Sequence, residues 1–344
     1  MFQSAKRRLG SLVAVARRII LRFTGRRSGR WVEGSYAVPH SGFPFFPLPQ
    51  STRSYSLYIP GRYAATEKMP LLVMLHGCKQ DPKTFASGTR MNLLADREGF
   101  VVLYPQQRLL ANAYRCWNWF DHSAQRGDGE AALIAGMVRE VTVAFALDPG
   151  RVYVAGISAG GAMASILACC YGHLFAACAV HSGLMYRAAE SVTEAMRSMR
   201  YGSTASPRGT AQQVVAQKDF AFVPAMVIHG SADATVNPVN ADQLVEQFTA
   251  IARLGDVGDT AVPKVTHSEA GEIRYAYEVR DYRQGGTLVL RRLLVEGLGH
   301  GWSGGDGEFP FNDPRGPDAS RMTWEFVSEF ERRERKIPAA VLTG

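Results

Sequence analysis

Five consecutive residues, Gly156-Ile157-Ser158-Ala159-Gly160, constrain this chain more than any other feature of its 344 residues. They follow a Val-rich run, Arg151–Gly156, and open a small-residue stretch that reads as a helix to about Cys170. A strand that turns straight into a helix at a serine forces strained backbone angles on that serine. Glycines two positions to either side admit the close approach of strand and helix. The pattern describes a nucleophilic serine presented at the end of a buried strand. A phosphate loop fits poorly, because no Lys follows the glycines and the spacing of a dinucleotide fingerprint is absent.

The flanking sequence agrees with such a turn. Ser54–Pro60, Met69–Leu75, Phe100–Tyr104, Leu174–Val180, Ala225–His229 and Thr287–Val295 are short apolar or alternating runs that predict strands. Ala131–Phe145, Asn240–Ala252 and Ser320–Arg335 predict helices. Buried strands alternating with helices imply an α/β fold, with a mostly parallel sheet covered on both faces. Residues 24–50, rich in Gly, Pro, Ser and aromatics, are expected to wrap the surface without regular structure. Arg187–Phe220 is weakly patterned and is expected to be an inserted segment over the sheet edge.

A composition of 46% hydrophobic and 20% charged residues supports one large core. It excludes a disordered chain, a disulfide-held miniprotein and a collagen-like repeat. The formal charge of +8 is concentrated: nine of the 39 basic residues, and no acidic one, fall in residues 1–30. The rest of the chain is almost neutral, so the charge is no sign of a nucleic-acid-binding body. Within that leader Leu9, Leu12, Val13, Ala16, Ile19, Ile20 and Phe23 recur at spacings of three and four between arginines. This predicts a basic amphipathic helix, in weak contact with an anionic membrane surface or packed on the domain. Its uncharged part, Leu9 to Ala16, is too short to span a bilayer, and Arg17 and Arg18 interrupt any signal-peptide core. The expected organisation is a leader over 1–30, one catalytic domain over 31–336 and a tail over 337–344.

A serine nucleophile needs a base, and the base an orienting carboxylate, each carried at the end of a later strand. The run Val227–Gly230 leads into a polar loop ending in Asp233, and Val295–Gly299 leads to His300 among glycines. Asp242 is a rival acid but lies inside a predicted helix. His229 at a strand end reads as structural, and His173 and His267 lack the strand-end context. Two backbone donors are also needed for an oxyanion. The amide of Ala159 is one; the loop His76-Gly77-Cys78 supplies the other, from Cys78. Asp128 and Glu130 open the helix beginning near Ala131 and read as acids suited to its N-terminal dipole. The five cysteines have no metal-site spacing: Cys169, Cys170 and Cys178 read as buried small hydrophobes, while Cys78 and Cys116 sit in polar loops. No metal or organic cofactor is implied.

Several segments together carry a family resemblance: His76–Gln80, Cys116–Phe120, Arg126–Glu130, Arg151–Met163, His181–Gly183, Gly230–Asp233 with Val236–Pro238, and Gly299–Gly305. In order and spacing they resemble the short catalytic domain of polyhydroxybutyrate depolymerase family esterases, which are related to feruloyl and acetylxylan esterases. The resemblance covers roughly residues 50–335. It implies an α/β-hydrolase fold, a Ser158–Asp233–His300 triad and a Cys78–Cys116 disulfide. It implies cleavage of esters in polyhydroxybutyrate or 3-hydroxyalkanoate oligomers, with feruloyl or acetylated-sugar esters as the alternative; outside enzymes the rival reading is a non-catalytic surface or membrane-associated protein. An extracellular or periplasmic location is implied by the same likeness. Trp117, Trp119 and Trp302 are candidates to line an acyl or polymer groove; the other reading is a satellite core beneath the Gly-rich loops.

Overall fold

The apolar run Val152–Ile157 becomes a central strand of a ten-stranded sheet. A computed structural model describes residues 29–37, 52–257, 262–271 and 274–332. The proposed leader, apart from Gly29 and Arg30, and the tail over 337–344 lie outside the described residues. In chain order the strands of the main sheet are β1 (Arg30–Ala37), β2 (Thr52–Ile59), β3 (Leu71–Leu75), β4 (Val101–Pro105), β5 (Val152–Ile157), β6 (Ala177–His181), β7 (Ala225–Gly230), β8 (Lys264–Ser268), β9 (Tyr277–Gln284) and β10 (Thr287–Val295). A two-stranded ladder pairs β11 (Trp302–Ser303) with β12 (Asn312–Asp313).

The spatial order is β1-β2-β4-β3-β5-β6-β7-β10-β9-β8. The run from β4 to β10 is parallel, and antiparallel strands close both edges. Successive residues point to opposite faces of a strand, so each buried strand feeds two cores. Leu71, Val73 and Leu75 enter one core with α4 (Gly129–Ala144), α5 (Ala159–Cys170) and α8 (Val239–Leu254). Leu72 and Met74 enter the other, with α1 (Pro82–Thr89), α2 (Met91–Glu98) and α9 (Ala319–Val327). This is the expected mostly parallel sheet with helices on both faces, an α/β-hydrolase fold. Short α3 (His122–Gln125) precedes α4.

Three expectations need correction. Residues 24–50 are not without regular structure, because β1 pairs with β2 along its whole length, from Arg30↔Ile59 to Ala37↔Thr52. Gly34 permits that pairing: a Cβ there would come within 2.3 Å of the Tyr55 ring. The segment Arg187–Phe220 does not lie over a sheet edge. It forms α6 (Val192–Tyr201) and α7 (Pro207–Val215) between β6 and β7, which are neighbours in mid-sheet. The closing helix stops at Val327, short of Arg335, and the chain then runs on so that the Phe330 carbonyl accepts from the Tyr153 hydroxyl. Among the described residues no helix is long and apolar enough to cross a membrane.

Candidate active site

Ser158 sits where β5 turns into α5, at φ 58° and ψ −123°. A non-glycine residue rarely adopts this backbone, and the surroundings enforce it. A Cβ on Gly156 would lie 2.4 Å from the Gly160 carbonyl oxygen, and one on Gly160 would lie 2.1 Å from that of Leu75. Strand and helix therefore meet only because both positions are glycine. The Ser158 amide donates to the His181 carbonyl at 2.9 Å, which ties the turn to β6.

The structure brings Ser158, Asp233 and His300 to the same end of the sheet. His300 Nδ1 lies 2.8 Å from Asp233 Oδ2, and His300 and Ser158 line one cleft of about 680 Å³. Asp233 is buried, and its other oxygen accepts from the amides of Thr235 (2.9 Å) and Val236 (2.8 Å). Burial alone would raise its carboxyl pKa. The His300 hydrogen bond, the His300 charge and the Val236 amide outweigh that and hold it below the ordinary carboxylate value. With the carboxylate ionised, His300 presents Nδ1–H to it and keeps Nε2 free to accept a proton.

A second imidazole stands behind the carboxylate. His229, fully buried, donates from Nε2 to the Val236 carbonyl at 2.8 Å and lies 3.5 Å from Asp233 Oδ2. It braces the loop carrying the acid, in keeping with its reading as structural. Burial lowers its pKa, so it is neutral near pH 7. Asp242 is elsewhere: exposed on α8, it pairs with Arg292 at 2.9 Å. His267 and His173 are likewise outside the cleft, beside Glu278 and Arg139.

Cys78 and Cys116 are joined by a disulfide, and Cys169, Cys170 and Cys178 are free. Cys78 and Ala159 line the cleft with Ser158. Among the described residues neither backbone amide donates to a protein acceptor. Ala159 opens α5, where an amide has no partner within the helix.

The three tryptophans separate. Trp119 lines the cleft. Trp117 and Trp302 do not: both are core residues, 0% and 1% exposed. Trp117 packs against His76, with ring centroids 5.5 Å apart. Trp302 stacks on His181 at 5.0 Å and donates its indole N–H to Ser320 Oγ. An indole following the histidine loop points back into the sheet because β11 pairs with β12 there. Glu130 lies in the first turn of α4, as expected, but it is also buried, and its carboxylate accepts from Arg53, Gln107 and both nitrogens of Asn118.

Residues that the sequence does not single out complete the cleft. Val192, Ala195, Met196 and Met199 of α6 form its far wall, with Tyr114 and Phe311 at the mouth. A groove of the same volume between α7 and α8 holds Arg208, Gln212 and Glu246 but none of the groups described above. No cluster of three or more His, Cys, Asp or Glu that could hold a metal ion occurs among the described residues.

Comparison with known proteins places the chain among esterases in family and fold. The chain is 35% identical over 239 residues to poly(3-hydroxyalkanoate) depolymerase C of Paucimonas lemoignei, covering 67% of this chain and 55% of that protein. It is 30% identical over 269 residues to feruloyl esterase B of Thermothelomyces thermophilus, covering 73% and 84%. The chain thus spans only about half the length of the depolymerase. An acetyl xylan esterase structure from Aspergillus awamori superposes with a TM-score of 0.61 over 78% of this chain and 94% of its own; at 23% identity this likeness concerns the fold alone. The family description "Esterase PHB depolymerase" matches residues 53–274, well over half of the sequence, and the chain belongs to that family.

Proposed function

We propose that the chain is a serine-dependent carboxylic ester hydrolase that works through an acyl-enzyme. The observation that carries this reading is the 2.8 Å contact of His300 with a buried, ionised Asp233, in the cleft that holds the strained Ser158. Ser158 Oγ attacks the ester carbonyl while His300 Nε2 takes its proton. Asp233 keeps the imidazole in the tautomer that permits this and offsets the charge it acquires. The amides of Cys78 and Ala159 receive the negative charge that develops on the carbonyl oxygen. His300 then protonates the departing alcohol and activates the water that frees the acyl group.

The cleft favours an apolar acyl group of modest size. Its walls are largely Trp119, Phe120, Leu184, Met196, Met199 and Val236. The substrate proposed is a 3-hydroxyalkanoate ester, as oligomer or polymer, in line with the named activity of the Paucimonas relative. The aromatic wall of Tyr114, Trp119 and Phe120 supports a second reading, a feruloyl ester. The Cys78–Cys116 disulfide supports an oxidising location, extracellular or periplasmic.

Parallel hydrolysis of 3-hydroxybutyrate oligomers, amorphous polymer, methyl ferulate and acetylated xylan ranks these substrates. Ser158→Ala should fold as the parent does and lose nearly all turnover on whichever ester is best. Parent-level turnover by that variant would refute the mechanism.

A further inference from the structure

Glu130 and Gln107 do not themselves line the cleft, yet a chain of hydrogen bonds runs from them to the Gly77–Cys78 peptide. Glu130 Oε1 accepts from Gln107 Nε2 at 2.6 Å, and the same Nε2 donates to the Cys116 carbonyl at 2.9 Å. The Gln107 backbone amide is 3.2 Å from His76 Nε2. A backbone N–H can only donate, so this ring nitrogen accepts, and in neutral His76 the proton resides on Nδ1. Nδ1 then donates to the Gly77 carbonyl at 2.8 Å. The Gly77 amide is held from its other side by Gln80 Oε1, also at 2.8 Å. In a trans peptide the carbonyl and the following N–H point in opposite directions. Drawing the Gly77 carbonyl toward the buried imidazole therefore turns the Cys78 N–H away from it, toward the cleft.

We propose that Glu130, acting through Gln107 and His76, is a positioning residue that holds the Cys78 amide aimed at the oxyanion. The inference rests on the reading that this amide receives the oxyanion. Each link is shielded from water: His76 and Gln107 are fully buried, and Glu130 is 8% exposed. The carboxylate has four donors, so its position is over-determined, and Arg53 at 3.2 Å offsets its charge. It also receives the Asn118 backbone amide, two residues beyond the disulfide-bonded Cys116. One anion thus fixes the donor peptide through His76 and the cystine strap through Asn118 and Gln107. Such pre-organisation matters because an oxyanion donor acts only when it needs no reorientation during the reaction.

The test compares Glu130→Gln, His76→Leu and His76→Asn with the parent. Gln at 130 offers one acceptor oxygen where two now serve four donors. Leu at 76 keeps bulk but removes the donor to Gly77, whereas Asn can restore a donor near the position of Nδ1. The readouts are acylation rate and KM on a p-nitrophenyl ester. They are joined by the affinities for a trifluoromethyl ketone, which forms an oxyanion on Ser158, and for the matching alcohol, which does not. Removing an oxyanion donor outright costs about 10^2–10^3-fold. His76→Leu should approach about 10^2-fold in acylation and Glu130→Gln about 10-fold, with KM within about twofold. Ketone affinity should fall in parallel while alcohol affinity stays constant, and His76→Asn should recover much of the loss.

Folded variants with parental ketone affinity would overturn the proposal. So would equal losses for ketone and alcohol, or an Asn variant no better than Leu. Failure of Glu130→Gln to fold would also count against it, by making the carboxylate a determinant of the fold. A parent that neither turns over the ester nor binds the ketone more tightly than the alcohol would instead refute the underlying reading of the site.

Discussion

The two walls of the cleft are built on opposite principles. The wall around Cys78 is strapped by a disulfide and held by His76, Gln80, Gln107 and Glu130, nearly every polar group being satisfied inside the protein. The wall formed by α6 buries only Ala195 and Ser198 along its ten residues, and exposes Val192 and Met196 at 62% each. Its anchors lie mostly at its ends: a Ser191 cap on the Glu194 amide, the Glu190 amide on the Glu194 carboxylate, Ser198 Oγ to the Ala188 carbonyl, and the Asn237 amide and Asn240 Nδ2 on the Met199 carbonyl. Fixed donors suit a developing charge, which tolerates little misplacement. Methionine suits an acyl chain whose length varies, because its unbranched, polarizable side chain repacks at little cost. Chemistry is assigned to one wall, selectivity to the other.

The largest effect should come from the proposed triad acid, whose loop belongs to neither wall: Asp233 contacts His300, His229 and the amides of Thr235 and Val236. Asp233→Asn would leave the loop in place, since an amide oxygen still accepts from Thr235 and Val236, but would favour the wrong His300 tautomer. Turnover should fall roughly 10^3–10^4-fold, the size seen when a triad aspartate is replaced. Asp242→Asn, which only weakens a pair between an exposed carboxylate and the largely buried Arg292 away from the cleft, should change turnover less than twofold. Steady-state kinetics showing the reverse order would dissolve the assignment.

Breaking the strap comes next. The Cys78–Cys116 bond closes a loop with a sequence separation of 38, and loop-closure entropy puts its contribution at roughly 3–4 kcal/mol, a model-dependent figure. Cys78→Ala with Cys116→Ala should lower the unfolding free energy by about that amount in denaturant titration. Turnover should drop about tenfold as well, because the donor amide belongs to one of the bonded residues. Equal destabilisation with unchanged turnover would show that the strap serves the fold and not the donor wall.

How much of the fold and the site is legible in the sequence depends on the range over which each feature acts. The elbow is local: a strand, two glycines and a helix start occupy consecutive residues, so Gly156–Gly160 announces itself. Asp233 and His300 are legible because each ends an apolar run. The hairpin of β8 and β9 gives no such sign. Lys264–His267 are exposed and do not alternate, and β9 is held to the rest of the sheet across β10 by pairings such as Arg291 with Asp281 rather than by a buried face of β8. Glu130 misleads for a related reason. An acid in the first turn of a helix has a local explanation, whereas Arg53 lies 77 residues away and Gln107 23. Trp119 and Trp302 differ in the same manner: nothing in the sequence tells a lining indole from one stacked on His181.

Acid should act through the buried imidazoles, of which His76 belongs to the braced wall. Burial holds His76 down to about 4 and His181 to about 3, and lowers His229 in the same direction. Each is neutral in the folded protein, while in the unfolded chain it gains a proton below about pH 6.5. Between about pH 6.5 and 4 the unfolded state thus binds more protons, and stability falls as pH falls. Asp233, with its lowered carboxyl, adds a further loss only below the ordinary carboxylate range near 3.8. Unfolding free energies measured from pH 7 to 4.5 should show this slope. His76→Asn should make it shallower by up to about one proton, or 1.4 kcal/mol per pH unit. An unchanged slope would mean that His76 is not held neutral by the fold.

The smallest effect belongs to the loose wall, and it should be selective. Met196 lines the cleft while being largely exposed, so replacing it removes a surface for the acyl chain without opening a core cavity. Met196→Ala should leave melting temperature within about 1 °C and turnover of an acetyl ester within about twofold, because surface truncations stay near 0.5 kcal/mol. On esters of longer acyl chains, each methylene that loses its contact is worth up to about 0.8 kcal/mol, so kcat/KM should fall by roughly three- to tenfold as the chain lengthens. The dependence on chain length is what separates the two walls. Loss at the braced wall should be the same factor for acetyl and longer esters, since the oxyanion is common to all of them. A Met196→Ala variant with a uniform loss across the series would place α6 with the catalytic groups and erase the division of labour between the walls.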